Sequence, residues 1–267
     1  GENGSGKTTL MNMLAGIYFP DEGEIIIDGK EVKITCPADA FKLGIGMIHQ
    51  HFKLIETFTA AENIILGLPG KEIIKMNEVV EKINGLVNKY GFELDPNKKI
   101  YNMSVSEKQT VEIVKMLYRG ANILILDEPT AVLTPQETDR LFDVLRNMRN
   151  DGKAIIIITH KLHEVLSLSD RVAVLRKGEY IGTVQTKDAT ELSLTEMMVG
   201  EKVTLDMGRQ EPHDVKKKLE VKNLTCIDKN GVKTLDNISF EANTGEVLGI
   251  AGIAGSGQKE LLEAIAG

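Results

Sequence analysis

Cysteine is scarce: Cys36 and Cys226 are the only two in 267 residues. Two thiols so far apart exclude a disulfide-dense scaffold, offer no metal-type spacing, and fit a reducing cytoplasm. Long apolar runs are missing as well. The longest, residues 123–126 and 155–158, are strand-sized, so no segment is expected to span a bilayer, no secretory signal is visible, and any membrane role is expected to come through a partner. Positive charge is in deficit, since 32 Lys and Arg against 39 Asp and Glu leave a net charge of -7. Nucleic-acid binders need a basic stripe to displace counterions, so no nucleic-acid partner is expected. The short basic run Lys216, Lys217, Lys218 reads as solvated linker. The 42% of apolar residues suffices for a packed core, and the length suits one large domain or one and a half ordinary ones.

What the chain does have is a glycine-rich start. Gly1, Glu2, Asn3, Gly4, Ser5, Gly6, Lys7, Thr8 and Thr9 fit the pattern G-x-x-x-x-G-K-[ST]. In such a loop the glycines let backbone N–H groups curl around phosphates, the lysine sets a charge on the outer ones, and the threonine hydroxyl ligates Mg²⁺ at a helix start. Leu10, Met11, Leu14, Ala15 and Ile17 then recur at helical spacing, which supplies the helix. A nucleoside triphosphate is therefore the expected ligand.

Further residues extend this chemistry. Residues 123–126 form an apolar strand that ends in Asp127 and Glu128. A strand buried on both faces explains the run, and its acids emerge where ligands bind in open α/β sheets. Asp127 is placed to orient Mg²⁺ through water and Glu128 to polarise an attacking water. A second apolar strand, 153–159, delivers His160 to the same edge, for contact with the γ-phosphate; His163 beside it lacks the spacing of a metal pair. Gln50 ends the strand-like run from Ile45 and is within range of Mg²⁺ and the water. Ser104 and Glu107 form the capping-box pattern ahead of an amphipathic helix carrying Val111, Ile113, Val114 and Leu117, and the start of that helix suits a phosphate. Thr134 and Glu137, with Pro135 at the first helical position, form a second box that reads as simple capping.

The chain also repeats itself. Residues 252–267 lie on residues 1–16 without a gap, and seven pairs are identical, including Gly4 with Gly255, Ser5 with Ser256 and Gly6 with Gly257. Two homologous domains are expected: 1–205, a linker over 206–218, and the first part of a second domain over 219–267. Residues 219–225, 236–242 and 246–251 read as three strands, the last feeding the second loop. The first domain should have the same lead-in, so the chain is expected to be a fragment lacking the equivalent of residues 219–251.

In this order, the P-loop, Gln50, the run Ser104, Val105, Ser106 and Glu107, the pair Asp127 and Glu128, and His160 resemble the ATP-binding cassette (ABC) ATPases. A tandem arrangement with a degenerate second P-loop is similar to the ATP-binding subunits of bacterial simple-sugar importers, and residues 49–52 and 128–137 look like the nucleoside-import branch. The resemblance implies a P-loop NTPase cassette of the α/β class, with a parallel core sheet, an antiparallel β subdomain, and a helical subdomain between Phe52 and Asn102. It implies ATP and Mg²⁺ as cofactors, with Glu128, His160 and Gln50 catalytic, Thr8, Gln50 and Asp127 toward Mg²⁺, and Ser104 to Glu107 facing the ATP of the opposite domain. Cassettes of this kind pair head to tail at the cytoplasmic face of the cell membrane. They drive integral membrane permease subunits, to which an extracytoplasmic solute-binding protein delivers substrate.

The departures from the pattern fall on one composite site. Ser106 stands where the family has Gly, and the second loop (Gly252, Gly255, Ser256, Gly257) continues with Gln258 and Lys259 where a competent loop has Lys and Ser or Thr. Cys226 and Ile227 lie near the place where such cassettes carry an adenine-stacking aromatic. One catalytic and one weakened site is the resulting expectation. The rival readings are a soluble ABC-type ATPase of translation or DNA repair, and a nucleotide-binding switch with little hydrolysis.

Overall fold

A computed structural model describes residues 4–49, 52–68, 75–200, 215–227, 231–252 and 256–266. The chain divides into two units, Gly1–Val203 and Thr204–Gly267.

In the first unit, the glycine-rich loop opens helix α1 (Lys7–Leu14), which ends before Ile17. Strands β1 (Ile25–Ile27) and β2 (Lys30–Val32) form an antiparallel hairpin. Its turn residues Asp28 and Gly29 both have positive φ, as a tight two-residue hairpin requires. Helix α2 (Pro37–Lys42) leads into β3 (Ile45–Ile48). Helices α3 (Ala60–Ile65), α4 (Met76–Tyr90) and α5 (Val105–Tyr118) follow, then β4 (Ile123–Asp127), α6 (Pro135–Asn150) and β5 (Ala154–Ile158). Helix α7 (Leu162–Leu168), the antiparallel pair β6 (Arg171–Arg176) and β7 (Glu179–Gln185), and α8 (Glu191–Val199) complete the unit.

Strands β3, β4 and β5 form a parallel sheet with β4 in the centre. The apolar run of β4 has the burial expected of a strand covered on both faces. Leu124 and Leu126 enter a core shared with α3, α4, α5 and α6, whereas Ile125 enters one with Met11, Ala15, Ile34 and Ala40. Full burial of each such side chain contributes about 1.5–3 kcal/mol, so β4 anchors both layers. The helical layer follows its sequence pattern: Val111, Ile113, Val114 and Leu117 are buried in α5, and Val79, Ile83, Val87 and Tyr90 form the inner stripe of α4. Both expected capping boxes are formed, Ser104 with Glu107 and Thr134 with Glu137, and Thr59 with Glu62 makes a third.

Gly16 lets two segments meet behind α1. Its φ is +74°, and a β-carbon there would lie 2.4 Å from the Cys36 carbonyl oxygen, so this position, two residues beyond the helix, requires glycine.

The second unit contains the antiparallel strands β8 (Lys217–Ile227) and β9 (Lys233–Asn243) and helix α9 (Gln258–Ala266). Two expectations are corrected here. Lys217 and Lys218 belong to β8 and not to a solvated linker, and Lys217 is paired with Glu220 and Glu241. Residues 246–251 do not form a third strand: among the described residues they pair with no ladder, and Val247 is 98% exposed. Val247, Leu248 and Ile250 have strand propensity, but a strand needs a neighbour for its backbone groups.

Candidate functional site

The site is built where β4 and β5 end opposite the start of α1. Gly6 caps α1 with φ +89°, and Gly4 also has positive φ, so the chain between them turns with amides at the helix start. A second hairpin holds the loop from outside. The β6–β7 turn, Lys177 and Gly178, has positive φ at both residues, and the Gly178 N–H donates to the Ser5 carbonyl at 3.2 Å. Ser5 is buried, and its hydroxyl accepts from Lys7 Nζ at 3.2 Å. Nothing in the sequence reading pointed to Gly178, because its turn lies far from the loop it supports. Gly1, Glu2 and Asn3 lie outside the described residues, as does Gln50.

The parallel register sets the opposing wall. Asp127 stands beside Ile158, and the Glu128 N–H continues the ladder by donating to the Ile158 carbonyl at 2.9 Å. His160 therefore leaves β5 alongside Glu128, and its Nδ1 stands 3.0 Å from both carboxylate oxygens, with hydrogen-bond geometry to Oε1. Glu128 has φ +49°, a left-handed conformation uncommon for a residue with a β-carbon and typical of functional sites. The Glu128 side chain is largely buried, while that of His160 is 58% exposed, which leaves the ring open on its far side.

Asp127 turns to α1 and accepts from the Thr8 hydroxyl at 3.3 Å. Hydroxyl and carboxylate oxygens meeting at a helix start form a hard-donor set that suits Mg²⁺ with water completing its shell. Burial raises the Asp127 carboxyl above its ordinary value; the Thr8 hydrogen bond opposes this, Glu128 adds to it, and His49 and Lys7 oppose it. Burial lowers the Lys7 ammonium, against the raising charges of Glu128 and then Asp127. Lys7 and Asp127 are thus partly desolvated and lie within electrostatic reach of each other and of Glu128.

His49 joins this electrostatic group. Burial and then the Lys53 charge lower its imidazole, and Asp127 and Glu112 pull the other way. Glu112 of α5 accepts from the Lys53 N–H at 3.1 Å, which ties the segment after Gln50 to the helix that begins at Val105. Ser104 and Ser106 lie with Glu107 in a cleft of about 610 Å³ between α5, α6 and residues 91–95. Lys7, Asp127, Glu128 and His160 do not line this cleft.

In the second unit, the Gln258 amide donates to the Gly252 carbonyl at 3.2 Å. Lys259 points along α9 to Glu263, at 3.7 Å, and is exposed. Ser256 and Gly257 precede the helix, whereas Gly255 lies outside the described residues.

A parallel sheet ending in paired carboxylates, faced by a glycine-rich loop at a helix start and flanked by antiparallel and helical layers, defines a P-loop nucleotide-binding cassette. Comparison with known proteins is consistent with this: residues 1–131 match the ABC transporter family. Over 274 residues the chain is 45% identical to the nucleoside import ATP-binding protein NupA of Lactococcus lactis subsp. cremoris, covering all of this chain and 53% of that protein. Over 299 residues it is 43% identical to the glucose import ATP-binding protein TsgD13 of Haloferax volcanii, covering all of this chain and 54% of that protein. Among solved structures, the ADP conformation of MJ1267, an ATP-binding cassette of an ABC transporter, superposes with a TM-score of 0.65 at 26% identity, covering 74% of this chain and 85% of that one. Residues 1–131 thus carry an ABC transporter family domain, and the curated relatives that match along the whole chain are import ATP-binding proteins. The chain spans about half the length of the curated relatives it matches. Among the described residues, no helix is long and apolar enough to cross a membrane.

Proposed function

We propose that the chain is the ATP-binding and hydrolysing part of an importer for nucleosides or simple sugars, with residues 1–205 as a first cassette and 219–267 as part of a second. The observation that carries the reading is the convergence of Lys7, Thr8, Asp127, Glu128 and His160 at one edge of the sheet. Lys7 and the loop amides hold the phosphates. Thr8 and Asp127, with Gln50 as a further ligand, would hold Mg²⁺, which when bound would neutralise charge on the phosphate oxygens. Glu128 takes the proton of the attacking water as the water oxygen bonds to the terminal phosphorus and the bond from that phosphorus to the bridging oxygen breaks, its electron pair leaving with ADP; His160 fixes the carboxylate through Nδ1 while its open side faces the terminal phosphate.

Two cassettes pair head to tail, so that Ser104, Val105, Ser106 and Glu107 face the nucleotide held by the opposite loop. The pair acts at the cytoplasmic face of the membrane on integral permease subunits, supplied by an extracytoplasmic solute-binding protein; the names of the relatives support the import role. The position of Gln258 across its own loop supports a weakened second site, since that side chain brings no cation to a phosphate.

The test is Glu128→Gln in the assembled two-cassette ATPase. Retained MgATP binding with turnover lost is the expected result. Undiminished steady-state hydrolysis would overturn the assignment.

A further inference from the structure

Behind the pair Glu128 and His160 lies a second carboxylate that the chemistry above does not use. Glu164, in the first turn of α7, is 2% exposed. A carboxylate is rarely buried to this extent unless paired and hydrogen-bonded. Its Oε2 accepts from the Thr130 hydroxyl at 2.5 Å and from the Thr159 hydroxyl at 3.3 Å. Its Oε1 is paired with Lys161 Nζ at 3.0 Å. Lys161 closes the ring, since its N–H donates to the Thr159 hydroxyl at 3.1 Å and its Nζ to the Thr130 carbonyl at 2.9 Å. Thr130 and Thr159 are themselves buried.

Thr130 lies two residues after Glu128, and Thr159 immediately precedes His160. We propose that Glu164 is a positioning residue that clamps the two segments carrying Glu128 and His160, and so sets the 3.0 Å contact between them. This rests on the reading of Glu128 and His160 as the hydrolytic pair.

The need for a clamp follows from the backbone. Glu128 is in the left-handed region, and such a conformation persists only where its surroundings hold it on both sides. On one side the ladder bond to Ile158 does so. On the other, the Pro129 carbonyl accepts from the buried Gln109 amide at 2.8 Å, and Thr130 is held by Glu164. Gln109 fixes the segment to α5, whereas Glu164 and its partner Lys161 tie Thr130 to the segment carrying His160, with the Glu164 carboxylate accepting from both threonine hydroxyls. A glutamine at position 164 keeps the shape and loses the match: one of its two ends becomes an amide donor, which must face either the Lys161 ammonium or the two hydroxyls.

The experiment compares Glu164→Gln, Glu128→Gln and His160→Ala in the assembled two-cassette ATPase, reading ATP affinity, kcat, KM and melting temperature. Glu164→Gln is expected to lower kcat about ten- to hundredfold, the scale of catalytic misplacement, with ATP affinity and KM near the parent values. In the His160→Ala background the same change is expected to cost little further, because the contact it sets is already gone. Thr130→Val should reproduce the loss and Thr130→Ser, which restores the hydroxyl, should recover it; this pair decides the matter if Glu164→Gln does not fold. Parent-like kcat for Glu164→Gln or Thr130→Val, with Glu128→Gln inactive, would overturn the clamp alone, as would an equal loss with and without His160. An active Glu128→Gln would instead overturn the reading of the site on which the clamp depends.

Discussion

The Thr8 hydroxyl and the Asp127 carboxylate meet at 3.3 Å although 119 positions separate them in sequence. One lies at the start of a helix and the other at the end of the central strand, so the contact forms only when α1 packs on the sheet. Met11 and Ala15 of that segment share their core with Ile125 and Ile158, which makes the packing that brings the oxygens together the same packing that buries β4. The proposed Mg²⁺ donors and the core are therefore coupled through one helix.

Asp127→Asn separates the two. Burial holds the Asp127 carboxyl above its ordinary value of 3.8, so the folded chain binds more protons than the unfolded one between that value and the raised one. Stability then falls as pH rises through this window, and the whole cost is present above it. The amide removes that cost at neutral pH and also weakens the Mg²⁺ donor set. Calorimetric titration should show Mg²⁺-dependent ATP affinity reduced roughly 10–100-fold, the range seen when supporting metal interactions are cut. The melting temperature at neutral pH should not fall, and any advantage over the parent should vanish below the ordinary carboxylate range.

His49 has the opposite sign. Its imidazole is held below the ordinary value of 6.5, so just below that value the unfolded chain binds the extra proton and the folded chain does not. The contribution of the neutral ring is complete above 6.5 and is lost as pH falls through it toward the folded value. Melting curves between about pH 7 and about pH 5, the range in which histidine titrates, should show a decline that His49→Gln flattens. An unchanged slope in the variant would assign the decline to other groups.

Much of this arrangement was legible in the sequence because it is local. The buried run of β4 showed as an unbroken apolar segment, and the boxes at Ser104 and Thr134 showed as short patterns with fixed spacing. What escaped is set by tertiary contact. Glu164 reads as a solvated acid on a helix until Thr130, 34 positions earlier, is folded against it. Gly178 is an ordinary turn glycine until its N–H reaches Ser5. Residues 246–251 failed in the other direction, since their strand propensity was visible and the lack of a pairing strand among the described residues was not.

Gly16→Ala tests the seat of α1. The new β-carbon would lie 2.4 Å from a backbone oxygen, that of Cys36, which no rotamer change can move, and φ is +74°. Overpacking of this kind costs about 1–3 kcal/mol, and a left-handed alanine adds on the order of 1 kcal/mol or more. Denaturant unfolding should show both contributions as a lowered midpoint with an unchanged slope. Since α1 carries Lys7 and Thr8, MgATP affinity should fall as well; a parent-like midpoint would mean that the Cys36 segment yields at little cost.

The second loop offers a test of the one-competent-site reading. The Gln258 amide lies across its loop to the Gly252 carbonyl, and Lys259 is directed toward Glu263. Replacing the pair, Gln258→Lys with Lys259→Thr, supplies the charge and the hydroxyl that Lys7 and Thr8 supply in the first loop, and it removes the hydrogen bond that spans the loop. In the assembled two-cassette ATPase, equilibrium dialysis should then find two tight MgATP sites where the parent has one. Turnover should change little, because in the proposed head-to-tail pairing Ser106 would face this loop, and its side chain would fill space that a glycine leaves for close approach of a phosphate to the backbone. Adding Ser106→Gly should then raise closure at that site further. Two tight sites in the parent protein would sink the reading, and so would vigorous hydrolysis at the unrepaired site when Glu128→Gln has silenced the first.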